Sequence, residues 1–139
     1  MLVATMMIGD PLNKPVLKAD PNLGTRPIID GFDSSRFLGS TTNFYIGIKN
    51  IKLDTTAIGV NTAAVALNWP VSQATQLYNV DFSMPNFSQH VGITMDGGSS
   101  GGGSGTILSD LVLSPLCNIG KGSVIANPNL VFHRWRNRN

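Results

Sequence analysis

A short motif recurs along the chain at nearly constant spacing. The stretches "KNIKLD" (49–54), "YNVDFS" (78–83) and "SDLVLS" (109–114) each read as polar, Asn or Asp, apolar, any residue, apolar and polar. A partial copy, "PNLVFH" (128–133), follows after a shorter interval. The period of the three full copies is about 30 residues, which lies in the range typical of proteins built from stacked repeats. The spacing therefore predicts a solenoid.

A second family of apolar stretches alternates with the first. "VALNW" (65–69) and "VGITM" (91–95) are separated by a similar interval, and each stretch is short and close to Gly, Pro, Asn, Asp or Ser. Such runs are typical of β-strands bounded by turns. All eight acidic residues are aspartate, so the chain lacks glutamate, a strong helix former. These features predict an all-β protein.

Short strands without intervening helices favour a parallel β-helix. The repeat spacing predicts about five coils of roughly 25–30 residues each. One Asn or Asp per repeat, at Asn50, Asn79 and Asp110, is then expected to stack at a corner of the coil. A β-sandwich, in which these residues serve only as turn formers, is the alternative that the repeat leaves open.

The interior of such a coil is expected to hold one apolar column per strand position. Ile51, Val80 and Leu111 follow the corner residues directly, so they are predicted to pile into one aliphatic column. The string of glycine and serine at 97–105 is then predicted to be a loop on one scaffold, because doubling the length of a flexible loop costs only about 0.6 kcal/mol. We expect a single domain over 1–139.

Several stretches together resemble the first β-helical lobe of fungal exo-β-1,3-glucanases of glycoside hydrolase family 55, in the pectate-lyase-like superfamily. The resemblance covers roughly 1–114 and is most specific in "WPVSQA" (69–74) and "QHVGI" (89–93). Residues 115–139 depart from it and are expected to form a divergent or capping tail. The resemblance implies a single-stranded, right-handed parallel β-helix (pectin-lyase-like), here truncated. The resembling stretches are 43–58, 66–84, 88–102 and 108–113.

The resemblance implies a secreted glucan 1,3-β-glucosidase that acts on laminarin-type β-1,3-glucan in a cleft between two β-helical lobes of one chain. In that family the general acid is a glutamate of the second lobe, and this chain has no glutamate. We therefore expect a truncated fragment, with scaffold and part of the glucan-binding cleft but no catalytic residue. The alternative is a non-catalytic β-helical carbohydrate-binding or structural module. A pectate-lyase-type enzyme would need clustered calcium-binding carboxylates, which the sequence does not show.

Three residues are candidates for substrate binding. Gln73 and His90 fall in the two most family-like stretches and offer hydrogen-bonding groups to sugar hydroxyls, and the indole of Trp69 can stack on a pyranose face. Each also has a structural interpretation that the sequence leaves open. His90 can be a loop residue, Gln73 a corner amide, and Trp69 a side chain packed under a turn.

Other motifs define further expectations. Asn86-Phe87-Ser88 is an N-glycosylation sequon if the chain enters a secretory pathway. Cys117 is the single cysteine, and with two histidines it gives no metal-ligand pattern, so neither a metal nor another cofactor is expected.

Charge and hydropathy limit the classes of partner that the chain is expected to have. Three arginines crowd the last six positions, but no basic face elsewhere extends them into a nucleic-acid footprint. No apolar run is long enough for a membrane span, and the first eight residues lack the basic region of a signal peptide. We expect an extracellular protein by resemblance, with no nucleic acid or membrane partner.

Overall fold

A computed structural model of the chain describes residues 4–31, 44–71, 74–95, 106–114, 131–133 and 136–137. Within these ranges every regular element is a β-strand, and no helix is long and apolar enough to cross a membrane. The predicted all-β class is confirmed. The glycine and serine string at 97–105 lies outside the described residues.

The strands are two to four residues long, as a coil with frequent corners requires. Those described are β1 (Met6–Ile8), β2 (Val16–Lys18), β3 (Ile29–Asp30), β4 (Gly47–Lys49), β5 (Lys52–Asp54), β6 (Val65–Asn68), β7 (Thr75–Tyr78), β8 (Asp81–Ser83), β9 (Val91–Thr94), β10 (Thr106–Ser109), β11 (Val112–Ser114), β12 (Val131–His133) and β13 (Arg136–Asn137).

The described strands form three sheets in which all neighbours are parallel. Sheet A has the order β1-β4-β7-β10-β12, sheet B the order β2-β5-β8-β11-β13, and sheet C the order β3-β6-β9. From β1 to β9 the chain visits A, B and C in turn, so each of the first three repeats gives one strand to each sheet. The described strands that follow add β10 and β12 to sheet A and β11 and β13 to sheet B. This topology fits a parallel β-helix.

The pairing register accounts for the period in the sequence. Gly47 pairs with Gln76 and Gln76 with Ile107, so neighbouring strands of sheet A have the same spacing as the motif copies at 49, 78 and 109. On both sides of the glycine and serine string the strands belong to this stack, since β10 pairs with β7. A single domain over 1–139 stays a prediction.

The corner between sheets A and B explains why Asn and Asp recur there. Asn50, Asn79 and Asp110 have φ angles of 57°, 54° and 52°, in the left-handed region that Asn and Asp tolerate better than most residues. Asn79 Nδ2 donates to Asn50 Oδ1 at 2.9 Å, and Asn50 Nδ2 donates to the Gly9 carbonyl oxygen at 3.1 Å. The predicted corner stack is confirmed for Asn50 and Asn79.

Gly9 occupies the corner position of the first repeat. A Cβ there would collide with the Asn50 carbonyl oxygen and would lie 2.5 Å from Pro15 Cδ, so only glycine lets the two repeats approach.

The interior column is also confirmed. Ile51, Val80 and Leu111 are all buried in one core, and the Asp81 and Val112 N–H groups bond the carbonyls of Ile51 and Val80 at 3.0 and 3.1 Å. On sheet B, Leu17, Leu53, Phe82 and Leu113 are paired in register beside this column. The buried members of the core are Ile29, Ile46, Ile48, Ile51, Leu53, Ala66, Leu67, Trp69, Val71, Leu77, Val80, Phe82, Met84, Ile93, Leu108 and Leu111.

The amide ladder at the A–B corner can be extended by one substitution. Each corner amide donates to the preceding repeat, but the carboxylate of Asp110 has no N–H to offer Asn79 Oδ1. We expect Asp110→Asn to raise the free energy of unfolding by about 1 kcal/mol, measured by urea denaturation.

The matched control is Asp10→Asn. The Asp10 carboxylate accepts the Leu12 N–H in an exposed turn, and an amide oxygen can accept it equally well, so little change is expected. Equal effects of the two substitutions would contradict the ladder interpretation.

Candidate functional site

Sheet C carries a row of polar side chains on paired residues of its three described strands. Asp30 pairs with Asn68, and Asn68 with Thr94. Asn68 Nδ2 donates to Asp30 Oδ1 at 2.8 Å, and the Thr94 hydroxyl donates to Asn68 Oδ1 at 2.9 Å. We call these three residues the polar row. Because parallel strands lie about 4.8 Å apart, the row presents hydroxyl, amide and carboxylate groups at regular intervals.

The neighbouring positions explain why the row is held in place. Ile29, Leu67 and Ile93 are the preceding residues in β3, β6 and β9, and all three are buried in the core. Asp30 is exposed, while Asn68 and Thr94 are half-buried. Packing of the three apolar residues therefore fixes the strands, and their register brings the polar side chains into contact.

Sequence reasoning missed this row. The recurrence of "VALNW" as "VGITM" contained the signal for the Asn68–Thr94 pair, because these residues hold the same place in the two stretches. Asp30 gave no such signal, because it lies 38 residues before Asn68, far from the period of the other repeats.

Trp69 lies directly after β6, beside the polar row, and its side chain is fully buried. Its backbone N–H donates to the Thr94 carbonyl oxygen at 2.7 Å. The space over Gly31 is filled by Val71 and Trp69, since a Cβ on Gly31 would lie 2.9 Å from Val71 Cγ1 and 3.4 Å from Trp69 Cε3. Trp69 thus packs against the backbone that carries the row.

One polar atom of this indole is unusual. Among the described residues, Trp69 Nε1 is the one buried side-chain nitrogen or oxygen without a hydrogen-bond partner. Indole N–H groups usually find a partner when they are buried.

His90 lies directly before β9, at the opposite end of sheet C from Trp69, and is 1% exposed. Its Nε2 lies 3.1 Å from the Gly59 carbonyl oxygen, and its Nδ1 lies 2.9 Å from Thr55 Oγ1. Because a carbonyl oxygen can only accept, we infer that Nε2 carries the hydrogen that points to Gly59. The Thr55 hydroxyl also has the Ser83 carbonyl oxygen within reach, at 3.3 Å.

The imidazole therefore joins the turn before β9 to the corresponding turn of the preceding repeat. Backbone bonds reinforce the contact, since Gln89 N–H donates to Val60 O and Val91 N–H to Ala64 O, both at 2.8 Å. In this structure His90 and Trp69 have their contacts inside the protein, which favours the structural interpretation of both.

The remaining predicted site residues lie elsewhere. Gln73 is outside the described residues. Asn86 is exposed in the turn between β8 and β9, and Ser88 of the same sequon is buried, where its Oγ accepts the His90 backbone N–H at 3.4 Å. The described residues contain no group of three or more His, Cys, Asp or Glu side chains that could hold a metal ion.

The family comparison extends over nearly the whole chain. The model of the family "Rhamnogalacturonase A/epimerase, pectate lyase-like" matches residues 1–136. The chain belongs to this pectate lyase-like family. The predicted membership of the superfamily is confirmed, and it agrees with the three parallel sheets. No solved structure matches the chain.

Curated relatives of this pectate lyase-like chain are fungal proteins. A "Probable glucan endo-1,3-beta-glucosidase" of Arthroderma benhamiae is 34% identical over 79% of this chain and 13% of its own length. A "Glucan 1,3-beta-glucosidase" of Cochliobolus carbonum is 38% identical over 70% of the chain and 13% of its length. A "Non-secreted LysM effector" of Penicillium expansum is 34% identical over 70% of the chain and 8% of its length. The chain thus spans about an eighth of the length of these glucosidases.

Sheet B of the pectate lyase-like scaffold has a charged surface. Lys14 Nζ lies 2.7 Å from Asp81 Oδ1. Burial raises the pKa of the Asp54 carboxyl, but hydrogen bonds from the Thr56 hydroxyl and backbone N–H, with the charges of Lys18 and Lys52, outweigh burial and leave this pKa below its usual value. The face of sheet B therefore differs from the polar row, which contains one carboxylate and no cation.

The lowered pKa of Asp54 gives the stability of the fold a pH dependence. A depressed carboxyl pKa contributes stability above the unfolded-state pKa, and this contribution is lost as the pH falls through the folded-state value. We expect the stability advantage of the unsubstituted chain over Asp54→Asn to be present at pH 7 and to shrink below about pH 4, in urea unfolding curves.

Thr56→Val is the companion variant, because it removes one of the two Thr56 hydrogen bonds to Asp54. Thr56→Val should reduce the part of the stability difference from Asp54→Asn that depends on pH. An Asp54→Asn difference of the same size at pH 3 and pH 7 would contradict the explanation.

The contacts of His90 predict a large structural cost for its removal. His90→Ala leaves the Thr55 hydroxyl and the Gly59 carbonyl without this partner and opens a cavity, so we expect a loss of about 2–4 kcal/mol in the free energy of unfolding. The exposed neighbour provides the control, since Gln89→Ala should change stability by less than about 0.5 kcal/mol. Similar stabilities for the two variants would show that the His90 contacts do not hold the turns together.

Proposed function

We propose that this chain is part of a β-1,3-glucan-degrading glycoside hydrolase and supplies scaffold together with a portion of its glucan-contacting surface. The observation that carries the proposal is the similarity to two proteins named as 1,3-β-glucosidases, over 79% and 70% of the chain. In those proteins the matched region is a minor part, 13% of the length. The activity therefore belongs to a longer protein.

The scaffold that we infer is a right-handed β-helix of about five coils. Sheets A and B each contain five described strands, one for each coil. Right-handed crossovers are the rule for parallel strands of one sheet, which supports the proposed hand. Stacked coils of this kind give long, regular surfaces suited to extended ligands.

The catalytic acid is proposed to lie elsewhere in the longer protein. Glycoside hydrolysis usually needs two carboxyl groups at a defined separation, one of them an acid with a raised pKa. The chain has no glutamate. Four of the described aspartates serve the scaffold: Asp81 pairs with Lys14, Asp54 accepts the Thr56 N–H, and Asp10 and Asp20 accept backbone N–H groups in turns. A second lobe on the same polypeptide and an extracellular location complete the proposal.

The polar row is the surface that we assign to glucan contact. A neutral polysaccharide offers hydroxyl groups that both donate and accept, and Asp30, Asn68 and Thr94 together provide both functions. Substrate contact by Gln73, His90 and Trp69 stays a prediction. Both Trp69 and His90 are buried, Trp69 beside the row and His90 at the opposite end of sheet C, so either would act by supporting the strands that carry the row.

The alternative function is a non-catalytic β-helical carbohydrate-binding or structural module. It is favoured by the relative named as a non-secreted LysM effector, which aligns over 70% of the chain. The two hypotheses differ in what the longer protein does with glucan, cleavage in one case and attachment or support alone in the other.

Retention on laminarin tests glucan contact directly. We expect the 139-residue chain to be retarded in a native gel containing laminarin, and Thr94→Val to weaken this retardation several-fold, because the hydroxyl is lost with little change in shape. Ser83→Ala, a half-buried hydroxyl on sheet B, is the control and should leave the retardation unchanged. A chain that is folded but not retarded would contradict glucan contact.

Cleavage is followed in the same preparations. Glucose release from laminarin by the chain alone would contradict the proposal that its catalytic acid lies elsewhere. Release by the longer protein, and none by the chain, is the expected pair of results.

A further inference from the structure

The turn between β8 and β9 presents two side chains to solvent at its tip. Asn86 is exposed, and Phe87, at 102% relative exposure, is the most exposed large hydrophobic side chain of the described residues. The flanking residues Met84 and Ser88 are buried, so the turn is anchored on both sides of these two. We propose that Asn86 carries an N-linked glycan whose first sugar lies against the ring of Phe87.

The backbone conformation at position 87 is unfavourable for phenylalanine. Its φ is 53°, a region that bulky residues seldom adopt and that glycine or asparagine fits at lower cost. At the A–B corner the same conformation is taken by Asn and Asp side chains. Phe87 has neither a polar group to bond the backbone nor any buried surface, so a ligand outside the fold explains its presence better.

A sugar on the adjacent residue is the occupant that this position favours. An exposed aromatic ring stays in contact with water unless something covers it, and the C–H face of a pyranose is an apolar surface of similar size. A glycan linked to Asn86 is held at this ring by its own covalent bond, so no second binding site is needed. A partner protein at Phe87 is the competing occupant.

The sequon supplies the chemistry. The Asn86 amide nitrogen attacks the anomeric carbon of an oligosaccharide carried on a lipid pyrophosphate. A new N–C bond forms, the C–O bond to the pyrophosphate breaks, the lipid pyrophosphate leaves with the electron pair, and the amide loses one proton. Asn-X-Ser is the acceptor pattern for this transfer, and Asn86-Phe87-Ser88 fits it.

The burial of Ser88 determines when the sugar can be added relative to folding. Ser88 is 2% exposed, and its Oγ accepts the His90 N–H at 3.4 Å. A transferase that reads this hydroxyl cannot reach it in the closed turn, so the sugar is added before the turn packs onto the preceding repeat. Ser88 then changes from a recognition element to a buried anchor.

The first experiment measures the modification. It rests on the extracellular location in the proposed function, and therefore the full chain is secreted from a eukaryotic host behind an added signal peptide. We expect the intact mass to fall when N-glycans are removed enzymatically. The shift should be absent in Asn86→Gln and retained in Ser88→Thr and Phe87→Ser. A secreted, folded chain without a glycan would overturn the proposal.

The second experiment measures the contact with the ring. In the glycosylated chain, the N-acetyl methyl protons of the first sugar should be shifted upfield by the ring current of Phe87, and Phe87→Ser should return them to their ordinary position. Removal of the glycan should lower the thermal midpoint by about 2–4 °C only when Phe87 is present. A glycan with unshifted methyl protons would instead indicate that the ring serves another partner.

Laminarin retardation of the glycosylated chain separates this proposal from the previous one. If the chain carries the glycan and shows the ring contact but does not bind laminarin, only the proposed glucan contact is rejected. Normal glucan binding without a glycan would reject only the modification.

Discussion

Hydrogen bonding between parallel strands of successive repeats is the interaction on which the rest of the structure depends. It connects Ile51 to Asp81 and Val80 to Val112, and so stacks the aliphatic residues of the interior without any side-chain bond. The corner amides repeat the same contact in their side chains, from Asn79 to Asn50. Since every described strand is at most four residues long, no single repeat could bury enough surface by itself.

The same stacking produces the candidate site. Asp30, Asn68 and Thr94 come from three different repeats and meet only because Ile29, Leu67 and Ile93 are buried in register beside them. Trp69 is buried beside the row at one end of sheet C, and His90 is buried and hydrogen-bonded at the other end. Surface chemistry on this protein is thus a direct product of register, and a shift of one residue would remove it.

Structural features that repeat along the sequence could be predicted, whereas those that occur only once could not. The regular spacing of the motif predicted the pairing in sheets A and B, and the position after each corner residue predicted the column of Ile51, Val80 and Leu111. Membership of the pectate-lyase-like superfamily followed from the quoted stretches and is confirmed by the family match over residues 1–136. The contacts of His90 are with Thr55 and Gly59, in turns whose packing no periodicity encodes. The left-handed conformation of Phe87 was equally hidden, because Phe is not a residue that signals such a turn.

The unequal spacing of the repeats has an evolutionary consequence. In sheet A, Met6 pairs with Gly47 and Ile107 pairs with Val131. The segment that joins the two strands is much longer in the first case than in the second, yet the order of strands in the sheet is unbroken. Insertions and deletions between strands are thereby tolerated, because they leave the hydrogen bonds of the stack intact. New recognition loops can be acquired by such a lineage one coil at a time, while the framework beneath them is inherited unchanged.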